Sequence, residues 1–284
     1  MSYFLNKRCL VTGAAGGIGK AVALALAKEG AELAITDINA EQLQQTADEI
    51  QQLGAKLLLA NAADITDFTA IVQMAESLHS GYGSMDMLFN VAGISTWGSI
   101  ENLEIEHWRQ LIDVNLMGPV HVLKAFTPTM IAEKRGGHII NVSSAAGLFG
   151  LPWHSAYSAT KFGLRGLSEV LRFDLKSSNI HVSLVCPGAV DTGLVRTINI
   201  VGVDMNNPKV KALTSRFQKH AVSPESAAKS ILKGVRRRQY MVYTSFDIAF
   251  GHWFTTKWAW PYQLVMTLLN RLLTKTLASI NKAD

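Results

Sequence analysis

The stretch Ser155–Lys161 reads SAYSATK, with a phenol and an amine four residues apart among small side chains. On a helix that spacing puts Tyr157 and Lys161 on one face, a turn apart. A phenol is a poor base at neutral pH, since its ordinary pKa is about 10. A neighbouring cation favours the phenolate, which makes the pair a candidate for moving a proton. Tyr-Lys pairs at this spacing also decorate ordinary helices, so the chemistry needs other groups that hold something beside the pair.

The first such group is the run Thr12-Gly-Ala-Ala-Gly-Gly-Ile-Gly19, which follows an apolar segment and opens a helical one. Glycines permit a tight turn and let the backbone approach a pyrophosphate, which the free amides and dipole of a helix N-terminus stabilise. The spacing is Gly-x-x-x-Gly-x-Gly at Gly13, Gly17 and Gly19, not the commoner Gly-x-Gly-x-x-Gly. Asp37 ends the second apolar segment, where a carboxylate accepts hydrogen bonds from an adenosine ribose and repels a 2′-phosphate. Ile38 and Gly16 stand where a basic residue would meet that phosphate, so the expected cofactor is NAD in preference to NADP.

Asn90-Val-Ala-Gly93, Asn115, Ser143-Ser144, Tyr157-x-x-x-Lys161 and Pro187-Gly188 follow the glycine turn in that order. Together they resemble the short-chain dehydrogenase/reductase superfamily, from about Lys7 to Tyr243. The resemblance implies a Rossmann-type domain with strand order 3-2-1-4-5-6-7 and an acid/base tyrosine. It selects Ser144, thirteen residues before Tyr157, to hold the substrate oxygen, and makes Asn115 the fourth member of a tetrad with Ser144, Tyr157 and Lys161. Asn115 would anchor a water linking Lys161 to solvent. Asp64 would contact adenine with Ile65 beside it, Asn90 would brace the central strands, and Thr192 would hold the nicotinamide carboxamide. The full set expected at the cofactor is Gly13, Gly17, Ile18, Gly19, Asp37, Asp64, Ile65, Asn90, Gly93, Tyr157, Lys161, Pro187, Gly188, Val190 and Thr192. Val91 stands where relatives often carry a second asparagine.

The expected activity is NAD-dependent hydride transfer between a secondary alcohol or ketone and nicotinamide. An NADPH carbonyl reductase and a catalytically silent NAD-binding regulator or scaffold are the alternatives. Eight histidines lack any paired metal spacing, so no metal site is expected. No Gly-x-Ser-x-Gly elbow supports a hydrolase. His154, near Tyr157, could line the substrate site, although a lone loop histidine reads first as solvated or structural.

Positioning these groups requires an α/β framework. Short apolar runs at Cys9–Val11, Leu33–Thr36, Leu57–Ala60, Met87–Val91, His138–Val142, Val182–Cys186 and Tyr240–Tyr243 suit strands covered on both faces. Helical periodicity spans Gly17–Lys28, Ala40–Leu53, Phe68–His79, Trp108–Ala132, Ala156–Lys176 and Pro224–Gly234. Alternation of the two predicts right-handed crossovers in a doubly wound, mostly parallel seven-stranded sheet, a three-layer αβα sandwich over residues 1–245. The long segment at about 188–223 is expected to close over the substrate with 95–98 and 148–153. Trp97, Leu148, Phe149, Leu151, Trp153, Leu194 and Ile198 there favour a lipophilic substrate.

The chain has 284 residues, 48% of them hydrophobic and 17% charged, enough to bury a large core and to exclude global disorder. Its net charge of +5 lies wholly in Arg236–Asp284, where seven basic residues face two acids. The first 235 residues are neutral, which argues against a nucleic-acid-binding body. Two cysteines form no disulfide framework and the N-terminus has no cleavage pattern, so a cytoplasmic setting is expected.

Residues 246–284 read as a hydrophobic, basic extension whose apolar runs are too short to span a bilayer. From Pro261, Leu264, Val265, Leu268, Leu269, Leu272 and Leu273 form an apolar face opposite Gln263, Thr267, Asn270, Arg271 and Thr274. Burial of that face within the protein is the first expectation. Cover over the substrate site, contact with another subunit and peripheral membrane contact remain open. The resemblance implies a homo-dimer or tetramer formed through the long helices.

Overall fold

The computed structural model describes residues 2–193, 200–205, 207–208, 210–211, 215 and 221–281, with backbone alone at 259 and 273–281. Leu194 and Ile198 lie outside the described residues.

Seven strands, β1 (Arg8–Thr12), β2 (Glu32–Asp37), β3 (Leu57–Ala62), β4 (Met87–Asn90), β5 (Gly137–Val142), β6 (Ile180–Cys186) and β7 (Met241–Tyr243), form one sheet in the order 3-2-1-4-5-6-7. Every neighbouring pair is parallel. Side chains alternate across a strand, so both faces of a parallel sheet need cover. Cys9 and Val11 point into one buried layer with Val22, Leu26, Leu43, Ile50 and Ile231; Leu10 points into the other with Ile71, Leu78, Phe126 and Met130.

Those layers are built by helices α1 (Gly17–Lys28), α2 (Ala40–Gln52) and α7 (Pro224–Arg236) on one face and α3 (Phe68–Tyr82), α5 (Gly118–Glu133) and α6 (Ser155–Asp174) on the other. Their starts follow local chemistry. Asn39 and Asp67 accept amide hydrogens at the heads of α2 and α3, and Ser223 caps α7 just before Pro224. The α1 start differs, since Gly16 provides no side-chain cap and the first-turn amides stay open.

The periodic stretch Trp108–Ala132 is not one regular helix. Helix α4 (Ile105–Ile112) runs into a π-helical turn, Asp113–Met117, before α5. Such a turn accommodates one extra residue and often marks a functional position. Asn115 sits in it, fully buried.

A polar line crosses the apolar interior beside the site. Asn90 Nδ2 donates to Asn141 Oδ1 at 2.8 Å, Asn141 Nδ2 donates to Ser168 Oγ at 2.9 Å, and Ser168 donates to the Leu164 carbonyl at 2.7 Å. It ties β4 to β5 and β5 to α6, which carries Tyr157 and Lys161.

Two further helices follow β7, α8 (Phe246–Lys257) and α9 (Ala259–Asn281). The expected burial of the α9 apolar face occurs only at its edge. Tyr262 and Met266 pack against the body, whereas Leu264, Val265 and Leu268 are exposed. The body offers an apolar seat beside Leu148 and Phe149, which Ile248 of α8 shares with Tyr262 and Met266 of α9. Among the described residues no helix is long and apolar enough to cross a membrane.

Removing one member of the buried polar line leaves its neighbour without a partner. Ser168→Ala is expected to lower the unfolding free energy by about 1–3 kcal/mol, measured by urea denaturation.

Candidate active site

The crevice lies over the carboxyl ends of the strands, beside the place where the order reverses between β1 and β4, the usual position for a ligand in an open α/β sheet. A cavity of about 1550 Å³ opens there. It is lined by Gly13, Gly17, Ile18, Gly19, Asp37, Asp64, Ile65, Gly93, Ser144, Tyr157, Lys161, Pro187, Gly188, Val190 and Thr192. The sequence-derived set is thus brought to one wall system with two exceptions. Asn90 and Asn115 are buried beneath it, bracing the framework.

The glycine-rich turn is shaped by close approach. A Cβ on Gly13 would meet the Ala92 backbone at 2.8 Å, one on Gly17 would meet Thr192 at 2.9 Å, and one on Gly19 would run into the Gly13 carbonyl. Gly13 and Gly17 also have positive φ. Thr12 holds the other side: its Oγ1 accepts from Val91 and Ala92 amides at 3.0 and 3.1 Å. Asp37 is fixed by amides of Ala15 and Asn39, both at 3.0 Å. The open first-turn amides of α1, the side-chain-free cradle and this oriented carboxylate fit a dinucleotide.

On the opposite wall, α6 packs against the sheet with some of its small residues inward, while Ser155 and Ala159 are exposed. Ala156, Ser158, Thr160 and Lys161 are buried. Lys161 Nζ donates to the Val142 carbonyl at 3.1 Å and lies 5.7 Å from the Tyr157 ring centre. Burial pushes its pKa down to about 8. Burial pushes the Tyr157 phenol up, and its hydrogen bond with Ser144 pulls it the other way. Ser144 Oγ accepts from the Ala146 amide at 3.1 Å, which leaves its proton to donate. Ser143 has a different task, donating to the Lys161 carbonyl at 2.9 Å.

Asn115 is committed within the protein. Its Oδ1 accepts from the Ile94 amide and its Nδ2 donates to the Ile94 carbonyl, both at 2.9 Å, with Thr160 Oγ1 at 3.3 Å. The side chain therefore pins the loop after β4 to α6.

The remaining walls are mostly apolar. Trp97, Phe149 and Leu151 line the cavity, whereas Leu148 is buried behind it and Trp153 packs on Val210. His154, which the sequence leaves between a substrate-site and a structural role, is a wall residue whose ring centre lies 4.2 Å from that of Trp97, tilted by 44°. Its Nδ1 lies 2.7 Å from the Pro152 carbonyl, which can only accept, and burial lowers its pKa. The ring is thus neutral with its proton on Nδ1, and Nε2 is an acceptor.

Further contributions come from the far end of the chain, for which cover over the substrate site was one of the open expectations. Asp247 and Ile248 of α8 and Leu269 and Leu272 of α9 complete the cavity. Tyr262 Oη accepts from the Gly150 amide at 2.7 Å, and Gly188 leaves room for Ile248. Apolar periodicity marks these helices but carries no signal of where they dock.

Comparison with known proteins agrees with this geometry. Residues 7–200 match the short chain dehydrogenase family model. The chain is 40% identical over 195 residues to cyclohexanol dehydrogenase of Acinetobacter sp. (strain SE19), covering 68% of this chain and 76% of that protein. A short-chain dehydrogenase/reductase from Burkholderia phymatum, solved with NAD, superposes with a TM-score of 0.80 at 25% identity, over 89% of this chain and 93% of that one. A metagenomic short-chain oxidoreductase solved with NADP gives a TM-score of 0.62 at 38% identity, over 66% of this chain and 84% of that one. The fold, the glycine turn and the match over most of the chain together make this protein a member of the short-chain dehydrogenase/reductase superfamily, an oxidoreductase built on a nucleotide-binding Rossmann fold.

Proposed function

We propose that the chain is an NAD-dependent dehydrogenase that interconverts a lipophilic secondary alcohol and its ketone. The observation that carries this reading is the buried Tyr157, in the wall of a largely apolar cavity with Ser144, and one turn from the desolvated Lys161. The printed activity of the Acinetobacter relative, on a cyclic secondary alcohol, is of the same class.

The glycine turn and the α1 amides would hold the pyrophosphate, Asp37 the adenosine ribose, Asp64 and Ile65 the adenine, and Thr192 the carboxamide. When bound, nicotinamide supplies the two-electron acceptor or donor. Ser144 Oγ donates a hydrogen bond to the substrate oxygen and fixes it beside Tyr157 Oη. In oxidation Tyr157 takes the hydroxyl proton at Oη; in reduction it returns that proton to the carbonyl oxygen. Lys161, a cation below about pH 8, would favour the phenolate while charged and is placed to bind the nicotinamide ribose. Asn115 keeps Lys161 and the loop after β4 in register. Exposed Phe162, Val170 and Phe173 along α6 support the homo-oligomer implied by resemblance.

Tyr157→Phe is expected to keep NAD binding within a few-fold while nearly all alcohol-dependent NADH formation is lost. Fluorescence titration and absorbance read the two quantities, and unchanged turnover overturns the mechanism.

The pH dependence follows from the raised phenol. A raised pKa keeps the proton on Tyr157 at neutral pH, so reduction is favoured below that pKa and oxidation gains as pH rises through it. Initial rates across pH should therefore increase toward alkali for alcohol oxidation and decrease for ketone reduction. Parallel profiles in both directions contradict the assignment.

An NADPH-linked reductase is the second reading, since one similar structure holds NADP. Asp37, with exposed Ile38 beside it and no basic side chain in the turn, favours NAD. Like-charge repulsion between Asp37 and a 2′-phosphate should weaken NADP binding on the order of tenfold or more. Competitive titration measures this, and Asp37→Ser should narrow the gap.

A further inference from the structure

The helices beyond β7 combine an exposed apolar face with an excess of positive charge, in which Asp247 of the first turn of α8 is outnumbered by basic residues. On α8, Phe246, Phe250 and Trp253 recur at helical spacing and face outward, Phe246 being 82% exposed. Ile248 and His252 of the same helix face the body, His252 Nδ1 lying 2.8 Å from Tyr243 Oη. The outward rings are contiguous: Phe250 lies 5.9 Å from Trp253, which lies 5.6 Å from Trp258. On α9 the surface continues through Trp260, 69% exposed, and through Leu264, Val265 and Leu268. These side chains are presented outward because the inward edge of each helix is already taken by the body.

Between Asp247 and Asp284 the sequence has no acidic residue, while it carries Lys257, Arg271, Lys275 and Lys282. Lys257 and Arg271 are exposed on the same two helices. A two-fold contact through this face would bring like charges of two copies together, which disfavours a second copy as its occupant. Tryptophan beside basic residues and apolar side chains suits the headgroup boundary of a membrane. Basic residues near an anionic lipid surface are attracted to it, and salt screens that attraction.

We propose that α8 and α9 form a docking surface for an anionic lipid bilayer, lying in its headgroup region without crossing it. Leu269 and Leu272 of α9 also wall the cavity, so a docked molecule brings the cavity next to the lipid phase. The consequence for substrate is uptake of an alcohol or ketone dissolved in the bilayer. That consequence rests on the dehydrogenase reading above, and the docking itself does not.

The test is co-sedimentation of the full chain with vesicles of phosphatidylcholine alone or mixed with phosphatidylglycerol, at low and high salt. The intact protein is expected to sediment with the mixed vesicles, less with the neutral ones and less at high salt. Trp260→Ser combined with Leu264→Ser and Leu268→Ser should weaken partition by on the order of tenfold. Lys257→Gln with Arg271→Gln should do so for mixed vesicles only, by about tenfold. Thermal unfolding and NADH fluorescence should be unchanged in both variants, whose altered side chains lie outside the cavity walls.

Failure of the intact protein to sediment with mixed vesicles overturns the proposal. So does equal sedimentation of the apolar variant, or a halved mass by light scattering in that variant while the intact protein ignores vesicles, which assigns the face to self-association. Vesicle binding without turnover of any bilayer-soluble alcohol overturns only the dehydrogenase reading.

Discussion

The ammonium of Lys161 is removed from water by everything around it, and the site is organised by that desolvation. Only 4% of the residue is exposed, and the carbonyl of Val142 at the end of β5 is the acceptor that receives Nζ. A buried cation is costly unless it is partnered, so the helix must enter at one depth and one rotation. Ser143 fixes that depth by holding the Lys161 carbonyl, and Gly147 clears space against the same carbonyl. The buried small side chains of the SAYSATK stretch have the same physical cause. Ala156 and Thr160 lie against neighbouring structure, where larger residues would lift Tyr157 and Lys161 away from the cavity.

The sheet supplies the matching rigidity. Parallel pairing sets the carboxyl ends of β1, β2, β4, β5 and β6 side by side, so the groups following each strand converge without a dedicated scaffold. The line Asn90, Asn141, Ser168 crosses an otherwise apolar interior and fixes α6 in rotation as well as in position. Asn115 does related work from the π turn, where one extra residue aims its amide at Ile94 and Thr160. Polar side chains at both levels thus hold the face that carries Tyr157 and Lys161 while apolar packing supplies the bulk of cohesion.

At the other end, the tail converts an open crevice into a walled cavity. Ile248 fits over Gly188 and Tyr262 binds the Gly150 amide, so α8 and α9 are anchored at a few points along one edge each. That narrow seat explains two properties together. The inward residues reach the cavity, and the outward ones remain as an aromatic and aliphatic surface beside the surplus positive charge.

Much of this was legible in the residues alone. Continuous apolar runs alternating with 3.6-residue periodicity specify a covered parallel sheet, because both patterns report burial locally along the chain. The glycine turn, Asp37 and the Tyr157-Lys161 pair were readable for the same reason: each depends on spacing within one turn or at one strand end. The strand order followed from family resemblance and matches the observed topology. Other features were decided only by tertiary structure. The π turn at Asn115 interrupts a periodicity that reads as one helix, since a single inserted residue barely disturbs the pattern. His154 became a neutral wall residue only when Pro152 and Trp97 closed on it. The apolar arc of α9 read as a face to be buried, yet only its edge found a seat. Hydrophobic pattern determines which side of a helix prefers to leave water; how much area the body offers in return is a property of the assembled surface.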